Sequence, residues 1–405
     1  MTGTGLAQAI PIAVSPILTR LYSPAEFGMF ALYMSIASIT VVVVTGRYEL
    51  AILLPKRDRD ALHIVVLSAL LSIVLSVALL VLIIVFNRPI ANMLGDPGLA
   101  NWLYWVPAST LLMGVYQSLN YWCNRKGLYK QMSVNRTLQS GSASVAQLGG
   151  GYTGAGVMGL VGGQLSGQAL STSVLALRIW CEEQQRIQCL DKRRLVVLAK
   201  RYINFPKFLI VAHGFNTATG QMPIILFNTL FNAATAGFYM LIQRVQGAPM
   251  ALVAGAIGDV FRQEASHAYI HQGNCKEIYQ KTFRRLVLIS FAPFLLLFFI
   301  APDLFSWVFG EKWRLAGEYA KILMPMFFLQ FIVSPISQVV VFAGKQKIDL
   351  VWQIFLILLI TIGILIGVYF NNTKIAIILI SVFYSIMYVI AGFVNYRLSS
   401  GRGLW

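Results

Sequence analysis

Residues 61–86, 286–301 and 351–370 carry no Asp, Glu, Lys or Arg. A helix needs about 20 mostly apolar residues to cross the hydrocarbon of a bilayer. Within lipid only helices and closed barrels satisfy every backbone group, and these runs are too long and continuous for barrel strands, which alternate in polarity. The whole chain leans the same way. Of its 405 residues, 57% are hydrophobic and 12% charged, against about 25% charged in a soluble domain. The expected fold class is an all-α polytopic membrane protein.

Hydropathy divides the chain into about twelve transmembrane helices. They cover residues 4–19, 27–47, 61–86, 102–122, 134–152, 157–180, 208–227, 234–254, 286–307, 319–342, 350–370 and 375–396. Residues 1–19 lack a basic leading segment and run directly into a second apolar span, so no cleavable signal peptide is expected.

A formal charge of +17 would point to nucleic acid in a soluble protein. Here an excess of Lys and Arg in cytoplasmic loops accounts for it. With both termini cytoplasmic, the inside segments hold Arg47, Lys56, Arg57 and Arg59, then Arg125, Lys126, Lys130 and Arg136, then a dense run over residues 178–207. Arg244, Arg262, Lys276, Lys281, Arg284, Arg285, Lys345, Lys347, Arg397 and Arg402 follow. Outside remain Arg20, Arg88, Lys312, Arg314, Lys321 and Lys374. This asymmetry favours cytoplasmic termini and removes the need for a nucleic-acid partner. Cys123, Cys181, Cys189 and Cys275 all fall on the inner side, outside any CxxC motif, and read as free thiols.

The chain repeats itself. Residues 21–30, LYSPAEFGMF, and residues 230–239, LFNAATAGFY, share Leu, an aromatic, Ala, Gly and a second aromatic at identical spacing. Leu94-Gly95-Asp96 before the fourth span resembles Phe309-Gly310-Glu311 before the tenth, and Pro107 and Pro325 follow at comparable depth. Two pseudo-symmetric six-helix bundles forming a V-shaped cleft are expected, over residues 1–180 and 205–405, joined by a charged cytoplasmic linker at 181–204. Paired repeats of this kind frame alternating access around a midplane site.

Sequence signatures of catalysis are missing. Residues 154–159 match GxGxxG, but no strand precedes them, and a tight turn with close helix packing is the better reading. Gly159, Gly163 and Gly167 continue that packing spacing. GxxxxGK[ST], HExxH and GxSxG are absent, and no metal or other cofactor is expected. The informative residues are ionisable ones in or near the spans, which usually face a cavity or a partner. They are Arg20, Arg47, Glu49, Arg136, Lys207, His213 and Arg244. If the first, second, seventh and eighth spans line the cleft, these cations suit a diphosphate, which Arg grips with paired charge-assisted hydrogen bonds. Interfacial snorkelling is the alternative for each cation. Glu49 reads equally as a simple partner of Arg47, and His213 as a packed helix residue.

Residues 15–28, Ser15-Pro16-Ile17-Leu18-Thr19-Arg20-Leu21-Tyr22-Ser23-Pro24-Ala25-Glu26-Phe27-Gly28, resemble the start of bacterial O-antigen and capsule flippases. Arg47-Tyr48-Glu49-Leu50-Ala51-Ile52-Leu53-Leu54 is similar to the end of their second helix. These flippases belong to the multidrug/oligosaccharidyl-lipid/polysaccharide exporter superfamily. The resemblance implies an undecaprenyl-diphosphate-linked oligosaccharide as cargo, moved across a bacterial inner membrane by rocking, often with coupling to a proton or sodium gradient. It implies membrane lipids, a polysaccharide polymerase and chain-length machinery as partners. It also implies that Arg20, Arg47 and Arg244 line the cavity. Two rivals stand beside this reading. A drug/cation antiporter of the same superfamily needs buried acids, and Glu49 and Asp259 are the main candidates here. A membrane polymerase or glycosyltransferase needs a large outer loop with an acid pair, and residues 87–101 and 306–318 offer none.

Overall fold

The structure, a computed structural model, describes residues 2–95, 97–188 and 191–401. Asp96, Cys189 and Arg402 lie outside the described residues. Within them every regular element is helical, and each apolar stretch of the sequence falls on helical backbone. Among the described residues, seven stretches are long and apolar enough to cross a membrane: Pro24–Val44, Asp58–Met93, Ala233–Gln272, Lys276–Phe309, Glu311–Phe342, Lys347–Tyr369 and Thr373–Ser399. The remaining helices of span length are shorter or diluted by Gly, Ser and Gln.

The chain divides into two compact units, Met1–Gly237 and Phe238–Trp405. The first holds α1 (Thr2–Leu21), α2 (Pro24–Val44), α3 (Asp58–Met93), α4 (Ala100–Leu103), α5 (Val106–Arg125), α6 (Tyr129–Tyr152), α7 (Val157–Gln188), α8 (Lys192–Arg201), α9 (Ile210–Leu230) and the first turn of α10 (Ala233–Pro249). Helix α6 packs on α1 and α7, α3 on α5, and α2 on α5 and α9. Ser35 Oγ donates to Gln221 Oε1 at 2.8 Å across the α2–α9 contact. Helix α9, which the six-plus-six reading gives to the second half, therefore counts with the first compact unit. Helices α6 and α7 approach backbone to backbone, with Gly159 against Gly150, Gly163 against Gln147 and Gly167 against Ala143.

The second unit holds the rest of α10, then α11 (Gly255–Gln272), α12 (Lys276–Phe309), α13 (Arg314–Val333), α14 (Val339–Phe342), α15 (Gln346–Tyr369) and α16 (Thr373–Ser399). Helix α13 packs between α12 and α16, and α16 also packs on α15. Trp313 is fully buried, and Phe238 meets its ring edge-on at 5.8 Å.

Several helix ends depart from the hydropathy boundaries. Helix α12 starts at Lys276 rather than 286, because a helix can continue into water on charged residues that hydropathy scores against. Helix α13 stops at Val333 rather than 342, since Pro335 cannot donate the next helical hydrogen bond. Pro206 and Pro249 sit in or beside the π-helical turns Phe205–Leu209 and Met250–Ala254.

The repeated decapeptides start α2 and α10 with equivalent caps. Ser23 Oγ accepts from the Glu26 amide at 3.3 Å, and the Glu26 carboxylate accepts from the Ser23 amide at 2.7 Å, closing a capping box. At the matching place Asn232 Oδ1 accepts from the Thr235 amide at 2.8 Å. The two glycines of the repeat bring these helix starts together. A Cβ on Gly28 would stand 1.7 Å from Ala233 O, and one on Gly237 would stand 2.0 Å from Pro24 O. Ala233 and Pro24 are themselves equivalent in the repeat, so the contact is isologous: each copy presents the same patch to the other.

Gly28→Ala cannot be absorbed by a side-chain shift, because the obstacle is main chain. We expect a loss in the overpacking range of about 1–3 kcal/mol or more, read as a lower unfolding midpoint in detergent. Gly141→Ala, with nothing within 4 Å of the added methyl, should leave the midpoint unchanged; equal midpoints for the two variants would refute the crossing.

Candidate functional site

At the C-terminal end of α2 the chain takes two consecutive left-handed residues, Gly46 at φ 58° and Arg47 at φ 57°. Glycine accepts this freely, whereas a side chain there costs roughly 1–2 kcal/mol. Such strain persists where surrounding structure imposes it, often at functional sites. The turn leads into a 3₁₀ segment, Tyr48–Leu53. It sets the Arg47 guanidinium against a fully buried Glu49, with Arg47 Nη1 donating to Glu49 Oε1 at 3.1 Å. The Arg47 side chain keeps 15% exposure. Arg47 Nε and Glu49 Oε2 are buried without a hydrogen-bond partner. Since a guanidinium carries five N–H donors, the internal pair leaves Arg47 with capacity for a further acceptor.

The surroundings are polar and cationic. The charge of Arg47 reaches His213 on α9 and Tyr121 on α5. The π turn Phe205–Leu209, which carries Lys207, packs against the 3₁₀ segment. Lys207 is exposed and His213 half-buried. Arg136 on α6 is half-buried and lies beside Tyr116 of α5. The first unit thus gathers Arg47, Glu49, Lys207 and His213, with Arg136 on a neighbouring helix. Arg20 is exposed at the last turn of α1. It stands at the far end of α2 from Arg47, a separation of about 30 Å at the helical rise. Arg244 is half-buried on α10 in the second unit.

A second set of charges holds the 3₁₀ segment in place. Arg125 donates to Asp58 Oδ1 at 3.0 Å and to Ile52 O at 3.1 Å. Lys126 reaches Asp58 Oδ2 at 2.5 Å and Glu183 at 3.6 Å. The Tyr48 hydroxyl donates to Ala199 O at 2.9 Å, fastening α8. Lys126, through its hydrogen bond, and then Arg125 hold the Asp58 carboxyl below the usual carboxylate range. These residues do not stand out in the sequence, since each lies in a charged interhelical loop. The one available signal is sign: Asp58 begins one inner loop-to-helix junction and Arg125-Lys126 end another.

Cys123, Cys181 and Cys275 are free thiols. Among the described residues no cluster of three or more His, Cys, Asp or Glu could hold a metal ion.

This is a polytopic helical membrane protein with a cationic polar site at the turn that ends a spanning helix. The family model described as "Polysaccharide biosynthesis protein" matches residues 17–317, and the chain belongs to that family. No curated protein matches the sequence. Its fold is that of solved transporters of the MOP superfamily. An inward-facing multidrug resistance MATE family transporter superposes with a TM-score of 0.77 at 14% identity, covering 97% of this chain and 94% of that one. The lipid II flippase MurJ, in an inward closed conformation, gives 0.75 at 13% identity, covering 98% and 89%. A MOP superfamily transporter from Pyrococcus furiosus gives 0.62 at 15% identity, covering 98% and 94%. Family and fold mark a multi-pass helical membrane protein of polysaccharide biosynthesis.

Two measurements test this geometry. Breaking a buried ion pair by removing one partner costs about 3–5 kcal/mol, whereas removing both costs far less. Arg47→Gln should therefore destabilise the protein in detergent unfolding, and Arg47→Gln combined with Glu49→Gln should regain most of the loss. The Asp58 clamp is present above the ordinary Asp pKa and is lost as pH falls through its depressed folded value. The stability gap between wild type and Asp58→Asn should be full at neutral pH and close below about pH 4.

Proposed function

We propose that the protein is a flippase. It carries undecaprenyl-diphosphate-linked oligosaccharide repeat units, of O-antigen or capsule, from the cytoplasmic to the periplasmic leaflet of a bacterial inner membrane. The observation that carries this reading is the Arg47 guanidinium. It is held half-buried by a strained turn, partly satisfied by Glu49, and accompanied by Lys207 and His213. A guanidinium with free donors and excess positive charge around it matches a diphosphate in charge and geometry. Arg136 and Lys207 extend the positive field toward acidic sugars, and the polyprenyl tail stays in lipid.

On this reading both termini are cytoplasmic and the basic loops face the site of cargo assembly. The matched six-helix halves form a V-shaped cleft and rock to alternate its access, with Arg20 and Arg244 contacting cargo at other stages of the cycle. A proton or sodium gradient drives the motion. The polysaccharide polymerase and its chain-length machinery receive the product. The antiporter reading is weaker because the acids it needs are engaged: Glu49 pairs with Arg47, and Asp259 is exposed beside Arg262 at 3.9 Å.

Charge reversal is the test. Arg47→Glu and Arg244→Glu, expressed at wild-type level in a strain lacking the chromosomal copy, should each abolish surface polysaccharide and leave lipid-linked repeat units inside. Unchanged surface polysaccharide in both would end the proposal.

A further inference from the structure

The second unit carries a groove that plays no part in the function proposed above. Helices α12 and α16 both pack along α13 and meet each other mainly near one end. There the Tyr279 hydroxyl donates to Gly392 O at 3.0 Å, and Gln280 Nε2 donates to the Tyr396 hydroxyl at 3.3 Å. Between them lies a cavity of about 450 Å³, floored by Leu329 and Val333 of α13 and walled by Phe283, Tyr388 and Phe393. This is large enough for a small ligand or a chain segment.

The groove changes character along its length. On its apolar side it runs into exposed Leu288, Val389 and Ile390, the kind of surface a spanning helix turns to lipid. At the other end it meets a basic fringe. The first turns of α12 carry Lys276, Lys281, Arg284 and Arg285, and the last turn of α16 carries Arg397; Glu277 is the sole acid on these turns. Lys276 stands over the Tyr396 ring at 5.6 Å and Arg397 over Phe393 at 4.9 Å. Arg284 lines the cavity itself, is exposed, and joins none of the ion pairs among the described residues.

We infer that this groove binds an anionic phospholipid, with one acyl chain between α12 and α16 and the phosphate at Arg284. The apolar end excludes a free anion as the preferred occupant, and the basic end disfavours a zwitterionic lipid. The aromatic rim places the junction at headgroup depth, where Tyr residues concentrate. Basic pockets between spanning helices recognise acidic headgroups in this way. The lipid would brace α12 against α16 where few protein contacts do so.

Native mass spectrometry of the full chain, released from detergent containing dioleoyl phosphatidylglycerol and dioleoyl phosphatidylcholine in equal amounts, reads the occupant directly. One retained phosphatidylglycerol is expected, with about a fivefold preference, the size of one interfacial Arg–headgroup attraction. Arg284→Gln should bring that preference to parity while lipid still binds. Gly392→Leu should fill the groove and lower retention of both lipids. Gly392→Ala, whose added methyl would meet Val333 at an ordinary 3.5 Å, should behave as wild type. A wild type without preference, an Arg284→Gln variant that keeps it, or a dimer mass in place of bound lipid each overturns the inference. Should Gly392→Leu fail to fold, the Arg284→Gln ratio decides alone. No oligosaccharide enters the measurement, so its failure and that of the flippase reading are distinguishable.

Discussion

A hydrocarbon interior offers a peptide group nothing to bond to, so a spanning chain must supply each amide with its own carbonyl. That requirement makes the described elements of this protein helical and makes every departure from the helix informative. The left-handed Gly46-Arg47 turn is one such departure, just past the end of α2, and the π turn at Phe205–Leu209 packs beside the segment it leads into. Two irregular segments in contact, each carrying a cation, make a more persuasive site than any single charged residue.

The Arg47–Glu49 pair shows how such a site is maintained. Burying Glu49 without a counter-charge would be prohibitive, and Arg47 supplies it from two residues away. The pair is nevertheless incomplete, with one nitrogen and one oxygen left unbonded. A fully closed pair would be a structural element. An open one keeps positive potential available while the carboxylate fixes where the guanidinium points. Asp58, Arg125 and Lys126 act one layer further out, holding the backbone that sets the angle between the two side chains.

How much of this could be read from residues alone depended on the physical signal. Seven long spans were legible because twenty apolar residues in a row have few other uses, and the two matched helix starts because Gly28 and Gly237 sit at the same step of similar decapeptides. Helix ends were not, since hydropathy reports where the bilayer stops and α12 runs on into water over Lys276–Arg285. Arg47 and Glu49 were conspicuous as charges flanked by apolar sequence. Tyr121 and Asp58 were not, because a neutral or loop residue acquires its role only from what folds against it. The compact-unit boundary after Gly237 was equally hidden: α9 joins the first unit through its packing on α2, of which the sequence of α9 itself gives no sign.

The crossing of Gly28 and Gly237 is built from main-chain atoms on both sides. Its geometry therefore ignores which side chains decorate either helix elsewhere. Substitutions elsewhere on either helix can accumulate under that arrangement without altering the joint, provided two hydrogens stay where they are. A contact that reads no side chains leaves the rest of both helices free to change.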